Sequence, residues 1–154
     1  MPEVVITPDE VRSDEIIALL DAHLMLMRSL SPPESVHTLD LEGLRGPDIT
    51  FWRADIAEQL VGCGALKELD GTAGEIKSMH TSAAHRGKGI AAALLRHVMA
   101  TARERGYRNL FLETGSQPGF EAARMLYRRH GFTECAPFAD YVEDPHSFFM
   151  SIRL

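Results

Sequence analysis

The sequence predicts an α+β fold (a mixed α/β sheet), with a central, mostly antiparallel sheet of about seven strands and helices on both faces. Three observations point there. Apolar residues recur at three- and four-residue steps in separate stretches near the start, middle and end of the chain. Between the first two stretches the period drops to two across three short-linked segments, and further strand patterns follow each later helix. The 154 residues, 45% hydrophobic and 25% charged, suit one domain over 1–154 and can bury a core without disulfide staples.

Glu3 to Thr7 reads as the first strand, closed by Pro8. A helix is expected from about Ser13 to Ser29, where Ile16, Leu19, Leu20, His23, Leu24 and Met27 form one stripe. Ser31-Pro32-Pro33 ends it, because proline lacks an amide donor and restricts the residue before it. A helical turn is expected near Leu39 to Leu44. Ile49 to Ala54 and Leu60 to Leu69 read as strands around a turn at Asp55 to Gln59. Asp70-Gly71-Thr72-Ala73-Gly74 is a turn by composition, and Glu75 to Thr81 completes an antiparallel meander. From Ile90 the pattern is helical, with Ala91, Leu94, Leu95, Val98 and Ala102 on one face and Gly106 at the left-handed cap. Tyr107 to Thr114 is a strand, Gly119 or Phe120 to His130 a helix stopped by Gly131, and Phe132 to Ala136 a strand. Ser147 to Leu154 alternates as the last strand.

Composition narrows the function. With 16 Lys+Arg against 22 Asp+Glu, the net charge of -6 argues against a surface that coats nucleic acid or an anionic membrane. A local basic pocket for an anion stays open. Cys63 and Cys135 belong to no Cys-x-x-Cys pair, which points to a reduced, cytoplasmic setting. No apolar run approaches the ~20 residues of a membrane-spanning helix.

The segment Met79-His80-Thr81-Ser82-Ala83-Ala84-His85-Arg86-Gly87-Lys88-Gly89-Ile90-Ala91 carries the strongest chemical signal. A strand ends, and a basic glycine-rich turn leads directly into an amphipathic helix. The first amides of a helix lack internal acceptors and sit at the positive end of its dipole, so an anion is stabilised there. Gly87 and Gly89 let the backbone approach closely, while Arg86 and Lys88 add charge. Lys88 is followed by Gly89 rather than Ser or Thr, which disfavours a magnesium-dependent P-loop. A glycine turn after an antiparallel meander also disfavours a dinucleotide fold. A plain helix-capping loop is the structural alternative.

Arg86-x-x-Gly89-x-Ala91 resembles the Gln/Arg-x-x-Gly-x-Gly/Ala signature of the GNAT superfamily of acyl-CoA-dependent N-acetyltransferases. Ala123-x-x-x-Tyr127-x-x-x-Gly131-Phe132 is similar to its second motif, a helix ending at Gly-Phe before a strand. The two motifs span residues 75 to 132, and the element order fits the remainder. The resemblance implies a GNAT-like fold and acetyl-CoA as co-substrate, lying between Glu75–Thr81 and Tyr107–Thr114 where two parallel strands splay. Main-chain groups of Met79, His80 and Thr81 would meet the pantetheine arm. Amides of Arg86, Gly87, Lys88, Gly89, Ile90, Ala91 and Ala92 would hold the diphosphate, and Ala123 would leave room at the thiol end.

The resemblance also makes Tyr127 the proton donor to the departing thiolate; on spacing alone it joins Ala123, Leu126 and His130 on a packed stripe. Glu75 is a candidate base, and strand alternation groups it with Lys77, Met79 and Thr81, so a salt bridge to Lys77 is the structural alternative. Glu113 is a substrate-binding or second base candidate, and His37 a substrate contact. Where many members carry Asn, seven residues before the tyrosine, this chain has Phe120. No metal site is expected, because His80 and His85 lack a second pair. The expected activity is direct acetyl transfer to a primary amine of a small molecule or amino acid, by a protein whose family resemblance leaves a homodimer open, since members are often dimers. The alternatives are an idle acyl-CoA-binding module and a protein lysine or N-terminal acetyltransferase.

Overall fold

The structure, a computed structural model, describes residues 3–154. Seven strands form one sheet: β1 (Val4–Pro8), β2 (Ile49–Ile56), β3 (Gln59–Asp70), β4 (Ala73–Thr81), β5 (Asn109–Gly115), β6 (Thr133–Glu134) and β7 (Ser147–Arg153). Their spatial order is β1-β2-β3-β4-β5-β7-β6. Only β4 and β5 run parallel; every other pairing is antiparallel. The helices are α1 (Asp14–Leu30), α2 (Leu41–Leu44), α3 (Ile90–Glu104) and α4 (Glu121–Arg129). None of the described helices is long and apolar enough to cross a membrane.

The predicted elements are all present, with shifted ends. Ser13 is the cap of α1 rather than its first residue, its Oγ accepting the Ile16 amide at 3.3 Å. Asp40 likewise caps α2 through Gly43 N at 2.7 Å. The turn between β2 and β3 is only Ala57-Glu58, both left-handed at φ 50° and 65°. A two-residue hairpin of the twisted kind requires such angles, and filling it with Ala and Glu instead of Asn-Gly hides it from a compositional reading. The strand expected over Phe132 to Ala136 shrinks to Thr133–Glu134.

Two layers cover the sheet. On one face, Ile16, Leu19 and Leu20 of α1 and Leu44 of α2 pack on Phe51, Cys63 and Ala65. On the other, Leu95, Val98 and Ala102 of α3 and Tyr127 of α4 pack on Leu66, Ile76, Leu110, Leu112 and Met150. Each such fully buried aliphatic side chain contributes ~1.5–3 kcal/mol over its exposed state.

One irregularity positions the site. Cys63 pairs with His80 and Ala65 with Lys77, so Ser78 and Met79 together oppose Gly64. This is a β-bulge, with Ser78 held at φ 54°. It reverses the phase of β4. Glu75 and Lys77 face α1, whereas Met79 packs beside Ile90 and Leu94 of α3, and His80 returns to the α1 side against His23. The expectation that Met79 and Thr81 share a face with Glu75 and Lys77 is therefore wrong. Strict alternation has no way to register the inserted residue. Gly64 leaves room opposite the bulge: a Cβ there would lie 2.6 Å from Met79 Sδ, and the methionine side chain would have to move.

Candidate active site

Parallel pairing between β4 and β5 runs from Ala73↔Asn109 to Ile76↔Leu112 and then stops. Beyond Ile76, β4 stays bonded to β3 on one side only and diverges from β5 on the other. A cavity of about 130 Å³ fills the gap. Its lining passes through the sheet. Glu75, Lys77, Glu113 and Tyr141 stand on the α1 side, while Ala123 and Tyr127 of α4 stand on the other. Met79 and His37 also line it.

At the far end of β4 lies the glycine turn. Gly87 and Gly89 both adopt left-handed angles, φ 79° and 78°, and Gly89 caps α3 without any side-chain cap. Among the described residues, no amide from Arg86 through Ala92 donates to a protein acceptor; Ala93, bonded to Gly89 O at 3.1 Å, is the first that does. Nothing lies within 4 Å of the position a Cβ would take on Gly87 or Gly89, so these donors open to solvent. Consecutive free amides at a helix N-terminus, flanked by exposed Arg86 and Lys88, suit a phosphate or diphosphate. Upstream, the edge of Met79, His80 and Thr81 that faces away from β3 has no strand partner. Thr81 and Arg86 to Ala92 lie outside the cavity lining and continue from its β4 wall.

The chemistry-bearing side chains meet at the centre. Tyr127 is 7% exposed and packs edge-on to Phe132, with ring centroids 5.8 Å apart. Burial first, and then the charge of Glu113, push its phenol up to about 12. It therefore stays protonated at neutral pH. Glu113 is pushed up to about 7, chiefly by burial and further by Glu75 and Asp144, although Lys77 pulls it down. A carboxylate poised there accepts and returns protons near neutrality.

Glu75 is 2% exposed and already engaged. Its Oε2 accepts from Tyr141 Oη at 2.6 Å and from Lys77 Nζ at 3.2 Å. Lys77 Nζ also donates to Tyr141 Oη at 2.9 Å and to His37 O at 3.2 Å. Burial and the adjacent Glu75 raise the Tyr141 phenol further still. The exposed His37 ring stands edge-on to Tyr141 at 5.1 Å. His80 Nδ1 lies 3.1 Å from Nδ1 of His23, both rings buried. One of the two must carry the shared proton, so they hold complementary tautomers.

Phe120, standing where many family members have Asn, is buried in the cavity wall. Gly115 is what admits it, because a Cβ there would fall 2.0 Å from the Phe120 ring. The sequence reading thus brought Glu75, Glu113, Ala123 and Tyr127 to one place. It missed Tyr141, which sits in a segment of no periodicity, and His23, which it read only as part of an apolar stripe. A histidine on such a stripe was the available signal.

The profile of the acetyltransferase (GNAT) family matches residues 17–132. The chain is 54% identical over 146 residues to the uncharacterised N-acetyltransferase YsnE of Bacillus subtilis (strain 168), covering 95% of this chain and 97% of that one. A crystal structure from Klebsiella pneumoniae, assigned as an acyl-CoA N-acyltransferase, superposes with a TM-score of 0.80 at 30% identity, over 98% of this chain and 97% of that one. A GNAT-family acetyltransferase from Elizabethkingia anophelis, solved with acetyl-CoA bound, shares the fold with a TM-score of 0.69 at 19% identity, over 98% of each chain. The sheet split between β4 and β5, the free amides behind it and these likenesses agree: the chain belongs to the GNAT family of acetyltransferases.

Proposed function

We propose that this acetyltransferase moves the acetyl group of acetyl-CoA directly onto the primary amine of a small molecule while both substrates are bound. The observation that carries the reading is the cavity threading the split sheet. Free amides lie beyond one end, and a protonated phenol and a carboxyl raised to about 7 share its walls. The residues present fit the co-substrate. Amides of Arg86 to Ala92, with the two cationic side chains, take the diphosphate. The unpaired edge of Met79 to Thr81 pairs with the pantetheine arm as an added strand would. Ala123 leaves room where the thioester enters.

Acetyl-CoA supplies an activated acyl group, and the chain supplies proton traffic. Glu113 takes the proton from the acceptor amine. The freed nitrogen bonds to the thioester carbonyl carbon, the carbon–sulfur bond breaks as the Tyr127 hydroxyl gives its proton to the sulfur, and the nitrogen releases its second proton to solvent to leave the neutral amide. Exchange with solvent resets both groups. Glu113 is preferred to Glu75 as base because the Glu75 Oε2 is committed to Tyr141 and Lys77; Glu75 then fixes the acceptor wall. Direct transfer is favoured over an acyl-enzyme because Cys63, the nearest thiol on β4's neighbour, is fully buried, bonded to Ser78 O, and pushed up to about 12 by burial.

Enclosure favours a small acceptor over a protein lysine. Ser35 Oγ donates to Asp144 Oδ2 at 2.5 Å, tying the loop after α1 to the segment before β7. A panel of small amines, assayed by thiol release from acetyl-CoA, tests the reading. Turnover of at least one small amine is expected. A protein that binds acetyl-CoA, ignores every small amine and acetylates exposed protein lysines would refute it.

A further inference from the structure

A second cavity, of about 170 Å³, lies between α1, α2 and the bulge of β4. Its walls are Leu20, Leu24, Leu39, Leu41 and Leu44, and it shares His23, Thr38 and Ser78 with the cavity that holds Glu113. We propose that the acceptor is an amine with an apolar body and no carboxylate beside its nitrogen, the body lying in this leucine-lined cavity. The inference rests on the acceptor site assigned above and narrows its substrate class.

Charge decides against a carboxylate. Among the described residues, Lys77 is the only lysine or arginine lining either cavity. Its three protons already go to Glu75, Tyr141 and the His37 carbonyl. The carboxylates lining the two cavities are Glu75, Glu113, Asp21 and Asp40. The α-carboxylate of an amino acid would thus meet like charge and no free lysine or arginine, whereas an ammonium arriving at Glu113 meets complementary charge. His23, in the shared wall, is held neutral by burial and by His80, so it adds no positive charge.

Size decides for an apolar body. A dry apolar cavity of ~150 Å³ accepts a benzene-sized guest. The leucine-lined cavity is of that order, and burying apolar surface there strengthens binding of the group that reaches it. An amine carried on a short arm from an aromatic ring or a four- to six-carbon chain places the nitrogen in one cavity and the body in the other.

The test compares 2-phenylethylamine, phenylalanine and ethylamine as acceptors. The first two differ only in the carboxylate, and the first and third only in the ring. The expected kcat/KM for 2-phenylethylamine is at least ~10-fold above each of the others, the scale on which apolar pockets discriminate. Leu41→Trp, which fills the second cavity from a short helix, is expected to raise KM for 2-phenylethylamine several-fold. It should leave kcat/KM for ethylamine and KM for acetyl-CoA unchanged; Leu39→Trp serves if the first variant fails to fold. Phenylalanine or ethylamine matching 2-phenylethylamine, or indifference to both cavity-filling variants, overturns the inference while leaving amine acetylation standing. Failure of all three acceptors, with acetyl-CoA still bound, removes the acceptor site itself.

Discussion

Replacing Glu113 by Gln removes the proposed base and should, at the same time, make the protein more stable in mild alkali. The carboxyl is raised from an ordinary 4.5 to about 7, mainly because burial penalises its charged form. The unfolded chain therefore releases this proton near 4.5 and the folded chain near 7. Between those values the folded state binds more protons, so stability falls as pH rises through the window, and above it the full cost is present. At 1.36 kcal/mol per pKa unit the cost is on the order of 3 kcal/mol, and partial solvent access reduces it to about 1–3 kcal/mol. Gln keeps the shape without the charge. At pH 8 the variant should melt higher by ~2–12 °C, on a scale of ~2–4 °C per kcal/mol for a chain this long, with little difference at pH 4. Its kcat/KM at pH 8 should fall by ~10²–10⁴, the usual worth of general base catalysis, and the rise of kcat/KM through pH 7 should vanish. Scanning calorimetry and a pH–rate profile read both effects. A variant no more stable than the parent at pH 8, or one that keeps the rising limb, would refute the assignment.

Three further outcomes are expected. Tyr127→Phe should lower kcat by ~10²-fold or more, as loss of a general acid does, and leave the acetyl-CoA Kd within about twofold; unchanged turnover would remove Tyr127 as proton donor. The buried His23–His80 pair is held neutral, each lowered from 6.5 to about 4 chiefly by burial, His23 further by His80 and His80 further by Arg86. The unfolded chain takes up protons that the fold refuses, so this contribution is complete above pH 6.5 and is lost as pH falls towards 4. Denaturant titrations of Glu113→Gln, which lacks the opposing trend, should show that loss, and a flat profile over this range contradicts it. Gly89→Ala forces a side chain into a left-handed angle of 78°. It should cost ~1–2 kcal/mol of stability and raise KM for acetyl-CoA with kcat little changed, whereas an unchanged KM would separate the turn from the co-substrate.

The fold was legible because most of its elements obey one period each. The stripe Ile16, Leu19, Leu20 and His23 and the face Leu94, Leu95, Val98 and Ala102 are buried as the spacing requires. The glycine turn was legible for a different reason: free amides, glycines and cations coincide in seven consecutive residues. What could not be read came from long-range registration. The bulge at Ser78 depends on how β4 pairs with β3, and no local pattern announces it. Tyr141 reaches Glu75 across 66 residues from a stretch without helix or strand, so its role emerges only when the sheet brings both ends together. The same holds for Glu113, whose raised pKa arises from burial that its neighbours in sequence do not specify. The anion end of the site is local and was visible; at the acceptor end Glu75, Glu113 and His37 were picked out, but their linkage through Tyr141 is assembled from distant pieces and was not.

The account rests on the main-chain amides between Arg86 and Ala92 holding a diphosphate. Titrating the ¹⁵N-labelled protein with acetyl-CoA tests this directly. The amide resonances of Arg86 through Ala92 should shift together, more than those of any other exposed loop, and saturate with a single dissociation constant. Absence of shifts in that segment, with binding detected elsewhere or nowhere, would contradict the account.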